Sequence, residues 1–332
     1  MRKTLTWTGI LLITALAFTA CGPKAGPPKA GEAKAENMLA MLPVDCQGAF
    51  FVDVKRAMET DFVKKAIEQD EQGQKLQEFI DATGIDPQKD IYFMALGLAN
   101  IEGNNAEGAA VLNIKFDKDK ALGFMKQKAE EEGQPMEETD YNGVTLYGWQ
   151  EDDGEKVVLA FLDDANVAAG NVPAVQSIID VVQKKKDSIL KNEELQALLK
   201  SSNKKAMFWG GMLIPKDTME QATSSNPMLS SLNSVNAVSM FFDYANENME
   251  IEIRAMSSDA EKNSQVADFL TGIKGLGGMM AAENPEIGQI VNGITITSAE
   301  DHVKISATIP EALLKTVMEK EMAKEQKEDI EQ

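Results

Sequence analysis

The chain has 332 residues, with 33 Lys and Arg, 53 Asp and Glu, one His and two Cys; 43% are hydrophobic and 26% charged. That is a globular composition, long enough for one large domain or two of about 150 residues. It excludes a Cys/His zinc site and a multi-His metal centre, leaves His302 as the sole base for a Ser-His-Asp or Cys-His apparatus, and its net charge of −20 argues against nucleic acid, whose phosphates select clustered Lys and Arg.

The first twenty-one residues read as an address. Arg2 and Lys3 form a short positive region, and an apolar stretch follows from Leu5 to Phe18. It is shorter than the roughly 20 apolar residues of a bilayer span and suits a signal peptide. Small residues then lead into a cysteine, in Phe18-Thr19-Ala20-Cys21-Gly22. This pattern resembles the lipobox of bacterial lipoprotein signal peptides, with Phe18 where Leu is usual. The resemblance implies cleavage before Cys21, acylation of Cys21 as the mature first residue, and membrane attachment through that lipid. Gly22 follows where inner-membrane retention favours Asp, so in a diderm cell the resemblance implies the outer membrane, facing the periplasm.

Residues 22–37 are rich in Gly, Pro, Ala and Lys, and read as a flexible tether. Cleavage removes Arg2 and Lys3 and takes the formal charge from −20 to −22. An anionic surface repels such a body, so the lipid must do the anchoring. Cys46, beside the apolar Ala49-Phe50-Phe51-Val52 run, reads as a small core residue rather than a reactive thiol.

From residue 38 the body reads as two passes of one element order. Gln47 to Val54 is a strand, Thr60 to Ala82 a helix ended by Gly84, and Ile91 to Leu98 and Ala109 to Phe116 a hairpin. Asp117 caps a helix reaching Glu132. Gly143 to Trp149 and Lys156 to Leu162 flank an acidic turn. Val167 to Ala169 leads through Gly170-Asn171 into a helix from Pro173 to about Lys185. The second pass opens near residue 204, with a strand from Lys205 to Ile214 and a helix from Asp217 to Ala222. Val235 to Ala245 and Met249 to Met256 form a hairpin across Asn246-Glu247-Asn248. Asp259 caps a long helix, Ile294 to Ser298 and Val303 to Ile309 form a last hairpin, and Pro310 opens a helix into a charged tail over 323–332.

Strands joined in hairpins imply antiparallel sheets. The expected fold is therefore α+β: two similar halves, 38–203 and 204–322, each an antiparallel sheet with helices packed on one face. Local cues in the first half are Leu42-Pro43-Val44-Asp45, Thr83-Gly84-Ile85-Asp86-Pro87, Tyr141-Asn142-Gly143-Val144 and Val167-Ala168-Ala169-Gly170-Asn171. With the hairpin-helix order, they resemble uncharacterised bacterial envelope proteins carrying a domain of unknown function. That resemblance spans roughly residues 38–185 and implies no activity.

No segment forms a catalytic constellation. His302 reads as a solvated turn histidine, since no nucleophile or orienting group is identified for it. Asp117-Lys118-Asp119 and Glu151-Asp152-Asp153-Gly154-Glu155 lack the ligand spacing of a calcium loop and read as a helix cap and a charged turn. Eighteen Met, among them Met207, Met212, Met219, Met228 and Met240, form no tight Met-x-Met cluster; they suit an adaptable core or a greasy binding surface. The glycines of Leu270-Thr271-Gly272-Ile273-Lys274-Gly275-Leu276-Gly277-Gly278-Met279-Met280 can serve close packing or a frayed helix end. They can also serve as a lip over an apolar cavity, formed by Gly275, Gly277, Gly278 and Met279. No cofactor and no metal is implied. The expectation is a non-catalytic envelope lipoprotein that binds or organises a protein or lipid partner; the alternative is a carrier or chaperone for a lipid or another apolar ligand. A carboxylate-based hydrolase is a third class, for which the sequence nominates no pair of acids.

Overall fold

The computed structural model describes residues 29–61, 63–64, 72–101, 106–150, 155–224, 227–280, 285–317 and 319–320. The expected Cys21 anchor, the signal peptide, the acidic turn at 151–154 and the charged tail at 323–332 lie outside them. The chain divides into two compact units, with the boundary between Gln196 and Ala197. Among the described residues no helix is long and apolar enough to cross a membrane.

Unit 1 begins with helix α1 (Ala35–Leu39), which starts within the expected tether and runs past its end, because Ala33, Met38 and Leu39 are buried in the body. Strand β1 (Gly48–Asp53) leads into α2 (Val54–Glu59), whose N-terminus Asp53 caps by accepting from Arg56 N at 3.0 Å. Next come α3 (Gln72–Thr83), α4 (Pro87–Asp90), the hairpin β2 (Ile91–Ala99) and β3 (Glu107–Ile114), and α5 (Lys118–Glu131). Asp117 caps α5 as its position suggests, accepting from Lys120 N at 3.3 Å. Strands β4 (Glu137–Tyr141), β5 (Val144–Gln150), β6 (Lys156–Phe161) and β7 (Asn166–Asn171) precede α6 (Val172–Val182), which Asn171 caps. A 3₁₀ turn at Ile189–Lys191 leads into α7 (Glu193–Lys200), within which the unit boundary falls.

Unit 2 contains β8 (Phe208–Leu213), α8 (Lys216–Ser224), a 3₁₀ segment Pro227–Ser234, and the hairpin β9 (Ala237–Ala245) and β10 (Asn248–Met256). Helices α9 (Ala260–Met280) and α10 (Pro285–Gly293) follow, then the hairpin β11 (Thr295–Ser298) and β12 (His302–Pro310), and a helical stretch over 311–317. Asn246 and Glu247 both have positive φ, at 53° and 59°, the two-residue turn that matches strand twist.

The architecture is α+β with antiparallel pairing. Unit 1 orders its strands β1-β2-β3-β7-β6-β5-β4, and unit 2 orders its own β8-β9-β10-β12-β11. Mapped strand for strand, the second order repeats the first five positions of the other. The repeat of element order is therefore also a repeat of sheet topology, and unit 1 adds the edge hairpin β4–β5.

The layering of unit 1 goes beyond one helix-covered face. Consecutive residues Val111 and Leu112 are both buried, as are Val158 and Leu159, so both faces of the sheet are covered. On one face Phe79 of α3 and Met125 of α5 join Leu112, Tyr147, Leu159 and Val167 in a single buried cluster. On the other, α6 contacts β3, β6 and β7, and the segment after α1 brings Leu42 and Cys46 over Gly97. A helix follows strands on either side of the sheet, and each finds an apolar face to bury.

Gly170 is set by backbone proximity. Its φ is +158°, and a Cβ there would stand 2.2 Å from the carbonyl oxygen of Gly108 on the paired strand. Gly170→Ala should cost about 3 kcal/mol or prevent folding, because the colliding atom is backbone and cannot rotate away. A methyl added at Gly123, inside α5, would meet nothing within 4 Å, so Gly123→Ala should stabilise by up to about 1 kcal/mol. Urea unfolding of the two variants checks both signs.

Candidate functional site

The strand register of unit 2 sorts its side chains by chemistry. Gly210 pairs with Met240, Met240 with Ile253, Ile253 with Ile305, and Ile305 with Ile296. Paired residues point to the same face, so these five form one row across the whole sheet. The flanking rows on that face run Phe208–Phe242–Ile251–Ala307 and Met212–Val238–Ala255–Val303. No charged side chain stands in any of the three rows.

The opposite face carries Trp209, Phe241, Glu252, Ser306 and Thr295 in one row, and Gly211, Ser239, Arg254, Lys304 and Thr297 in the next. Arg254 pairs with Glu252 there, with Nη2 to Oε1 at 2.8 Å, and donates to the Ser201 carbonyl at 3.3 Å. Leu198 of α7 lies against Gly211 on this side. One face of the sheet is thus mixed, with Trp209 and Ser239 buried on β8 and β9 and the Glu252–Arg254 ion pair on β10, and the other is continuously apolar.

The apolar face is incompletely covered. Val303, Ile309 and Met249 are buried, yet Met212, Val238, Met240, Phe242, Ile251, Ile253, Ile296 and Ile305 are each only partly so. In unit 1 the matching residues Leu112, Leu159, Phe161 and Val167 are all buried, with partly buried side chains packed around them. Helix α9 contacts β11, β12 and the 3₁₀ segment, and α10 contacts β12. Val266 of α9 is wholly withdrawn from water, while Ile273 and Leu276 further along are 49% and 64% exposed, and Ile287 of α10 is 40% exposed. The buried Asn263 pins the start of α9, donating to the carbonyls of Ser257, Ala299 and Glu300 at 3.1, 3.1 and 3.2 Å.

The glycines singled out from sequence fall in the far half of α9, which remains helical through Met280. An added methyl at Gly272, Gly275 or Gly278 would meet nothing within 4 Å, and at Gly277 it would meet Val291 of α10 at 3.7 Å. Tight helix-on-sheet packing is therefore not their purpose. Each instead weakens a partly exposed helix end next to the exposed Ile273 and Leu276. The side chain of Met279 lies outside the described residues.

Other candidates resolve locally. His302 opens β12, and its Nδ1 lies 2.6 Å from Oδ1 of Asp301, which is 75% exposed; this contact holds the Asp301 carboxyl below its ordinary range. Among the described residues no group of three or more His, Cys, Asp and Glu is placed to hold a metal. A slot between α5 and β4–β5, lined by Met125, Met136, Trp149 and Lys128, encloses 30 Å³, room for about one water. Cys46 is buried against Gly97 and Leu42, and burial together with the Asp45 carboxylate pushes its thiol up to about 12.

Residues 96–282 match the model of a protein family described as "Protein of unknown function (DUF3352)". No curated protein matches. Among solved structures, crystal form III of TP0453 is similar with a TM-score of 0.50 at 8% identity, over 84% of this chain and 96% of that one. Crystal form I of the same protein gives a TM-score of 0.45 at 10% identity, over 85% and 96%. At such identity the likeness is one of fold.

The Cys46 thiol yields a pH test. Folded, the thiol stays protonated to about pH 12, whereas unfolded it ionises near 9. Stability from this group is therefore complete below about pH 9 and falls as pH rises from there, by up to about 1.4 kcal/mol per pH unit. Unfolding free energies of wild type and Cys46→Ala should diverge in slope above pH 9, and parallel slopes would contradict the buried thiol.

Proposed function

The chain belongs to the DUF3352 family, a protein family of unknown function, and from that premise we propose that it is a non-catalytic, lipid-anchored envelope protein that holds an acyl-chain lipid on the apolar sheet face of unit 2. The single observation that carries this reading is the partly buried row Met240–Ile253–Ile305–Ile296. A sheet face without charge, left partly open to water, gains free energy when an apolar chain covers it, at about 25 cal/mol per Å² removed from water. Met212 and Met240 suit a ligand of variable shape, because an unbranched thioether adapts to irregular surfaces.

The anchor belongs to the same reading. Acylation at Cys21 would keep the body within reach of membrane lipid, in the outer membrane facing the periplasm if the cell is diderm. Gly275, Gly277 and Gly278 would then form the yielding rim over which the ligand enters, with Met279 at its end. Ile273, Leu276 and Ile287 supply an apolar approach to it.

Native mass spectrometry of the mature acylated protein, purified gently from envelope extract, should show a stoichiometric lipid-sized adduct beyond the acyl groups on Cys21. Met240→Gln and Ile305→Thr should each lower its occupancy about tenfold. A clean apo mass, together with no uptake of added phospholipid, overturns the reading. Gly275→Ala with Gly278→Ala should raise helix stability by about 1 kcal/mol per site. The same pair should slow lipid exchange several-fold in a vesicle-to-protein transfer assay; unchanged exchange would remove the rim role while leaving the bound lipid intact.

A further inference from the structure

The point where the tether joins the body is built, not loose. Asn113, wholly buried at the end of β3, accepts at Oδ1 from the backbone N–H of Gly31 at 2.9 Å. Its Nδ2 donates to Asn166 Oδ1 at 3.0 Å, and lies 3.4 Å from the carbonyls of Lys29 and Ala165. Asn166, also wholly buried, donates in turn to Asp163 at 2.9 and 3.0 Å. Gly31 has φ +78°, and a Cβ there would stand 3.0 Å from the ring of Tyr92, so both backbone and space demand glycine. Ala33 is buried two residues on. Residues 29–33 therefore form a strap held on the sheet of unit 1 by a buried amide pair, which is costly to leave unsatisfied.

We infer that this strap fixes the orientation of unit 1 against a lipid bilayer. The sheet end carrying Asn113, Asn166 and Asp164 faces the membrane, and the end carrying Glu155 and Asn171 points away. The inference rests on acylation of Cys21 as proposed above. Only seven residues, Gly22 to Pro28, separate Cys21 from Lys29. Seven residues reach at most about 25 Å, even fully extended. The eight residues of β3 cover about 27 Å from one sheet end to the other. An inverted body would put the strap a full strand length from the bilayer and need every tether residue extended. With the strap at the near end, seven residues are long enough whatever their conformation.

The test uses the acylated full-length protein, bearing Asp164→Cys or Glu155→Cys and labelled with a maleimide donor dye. Both sites are exposed, while acylation blocks Cys21 and burial protects Cys46. Bound to phosphatidylcholine vesicles that carry a headgroup acceptor dye, the label at 164 should transfer energy at least twofold more efficiently than the label at 155. Asn113→Ala should bring the two efficiencies together. Gly31→Val, which changes a strap residue and pushes it off the Tyr92 ring, should do the same if Asn113→Ala fails to fold. Wild type should float with vesicles and Cys21→Ser should not; failure of wild type to float overturns the anchor and the orientation with it. Flotation with equal or reversed transfer overturns the orientation alone, as does a difference that survives release of the strap.

Discussion

The register that stacks Met240 on Ile253 and Ile305 is the constraint on which unit 2 depends. Because side chains alternate across a strand, one set of pairings decides the chemistry of both faces at once. A slip of one residue would bring Glu252 and Arg254 to the apolar side and Ile253 to the mixed one. The ion pair between those two charged residues, and the contact of Arg254 with the Ser201 carbonyl, hold the mixed face where it is. What the register does not supply is cover. In unit 1, α3 and α5 cover the cluster around Leu112 and Leu159, whereas in unit 2 the equivalent apolar rows stay half-open.

The two units share a strand order and differ in what surrounds it. Unit 1 carries an extra edge hairpin, β4–β5, whose Tyr147 and Trp149 extend its core, and α6 fills the opposite face. Among the described residues unit 2 has no such hairpin, and its apolar rows stay partly exposed. Its long helix α9 is tied firmly at the start through Asn263 and Val266, and weakened toward the end by glycines with open space beside them. A scaffold fixed at one edge and yielding at the other suits exchange of an apolar ligand better than permanent burial. The unit with the buried cluster carries the tether strap, and the half-open unit carries the candidate site.

Much of the fold is legible in local chemistry. Asp117 caps α5, Asn171 caps α6, and Asn246-Glu247 turns the β9–β10 hairpin, because each of those side chains or backbone conformations acts within a few residues. Strand β4 is missing from the expected elements because Glu137-Glu138-Thr139-Asp140 has no apolar alternation; it is an edge strand whose charges stay in water. Helix α1 hides in a Gly- and Ala-rich stretch, since docking through Asn113 depends on a residue 82 positions away. Helices α7 and α10 are missing from the expected elements, although Leu195, Leu198 and Leu199 at helical spacing and Pro285 at a first helical position are signals that could have found them. The candidate site is legible by halves. Alternation in β9, β10 and β12 tells which residues share a face, and the glycines of α9 mark a weak helix. The degree of cover depends on how far helices distant in sequence extend over the sheet, and periodicity carries no information on that.

Photocrosslinking measures the central claim most directly. A phospholipid with a diazirine in mid-chain, exchanged into the full-length protein and illuminated, leaves adducts that peptide mass spectrometry can assign. The account predicts adducts concentrated on the peptides of β9, β10 and β12 that carry Met240, Ile253 and Ile305, lost when excess unlabelled phospholipid competes. Adducts spread evenly over both units, or confined to unit 1, would contradict it.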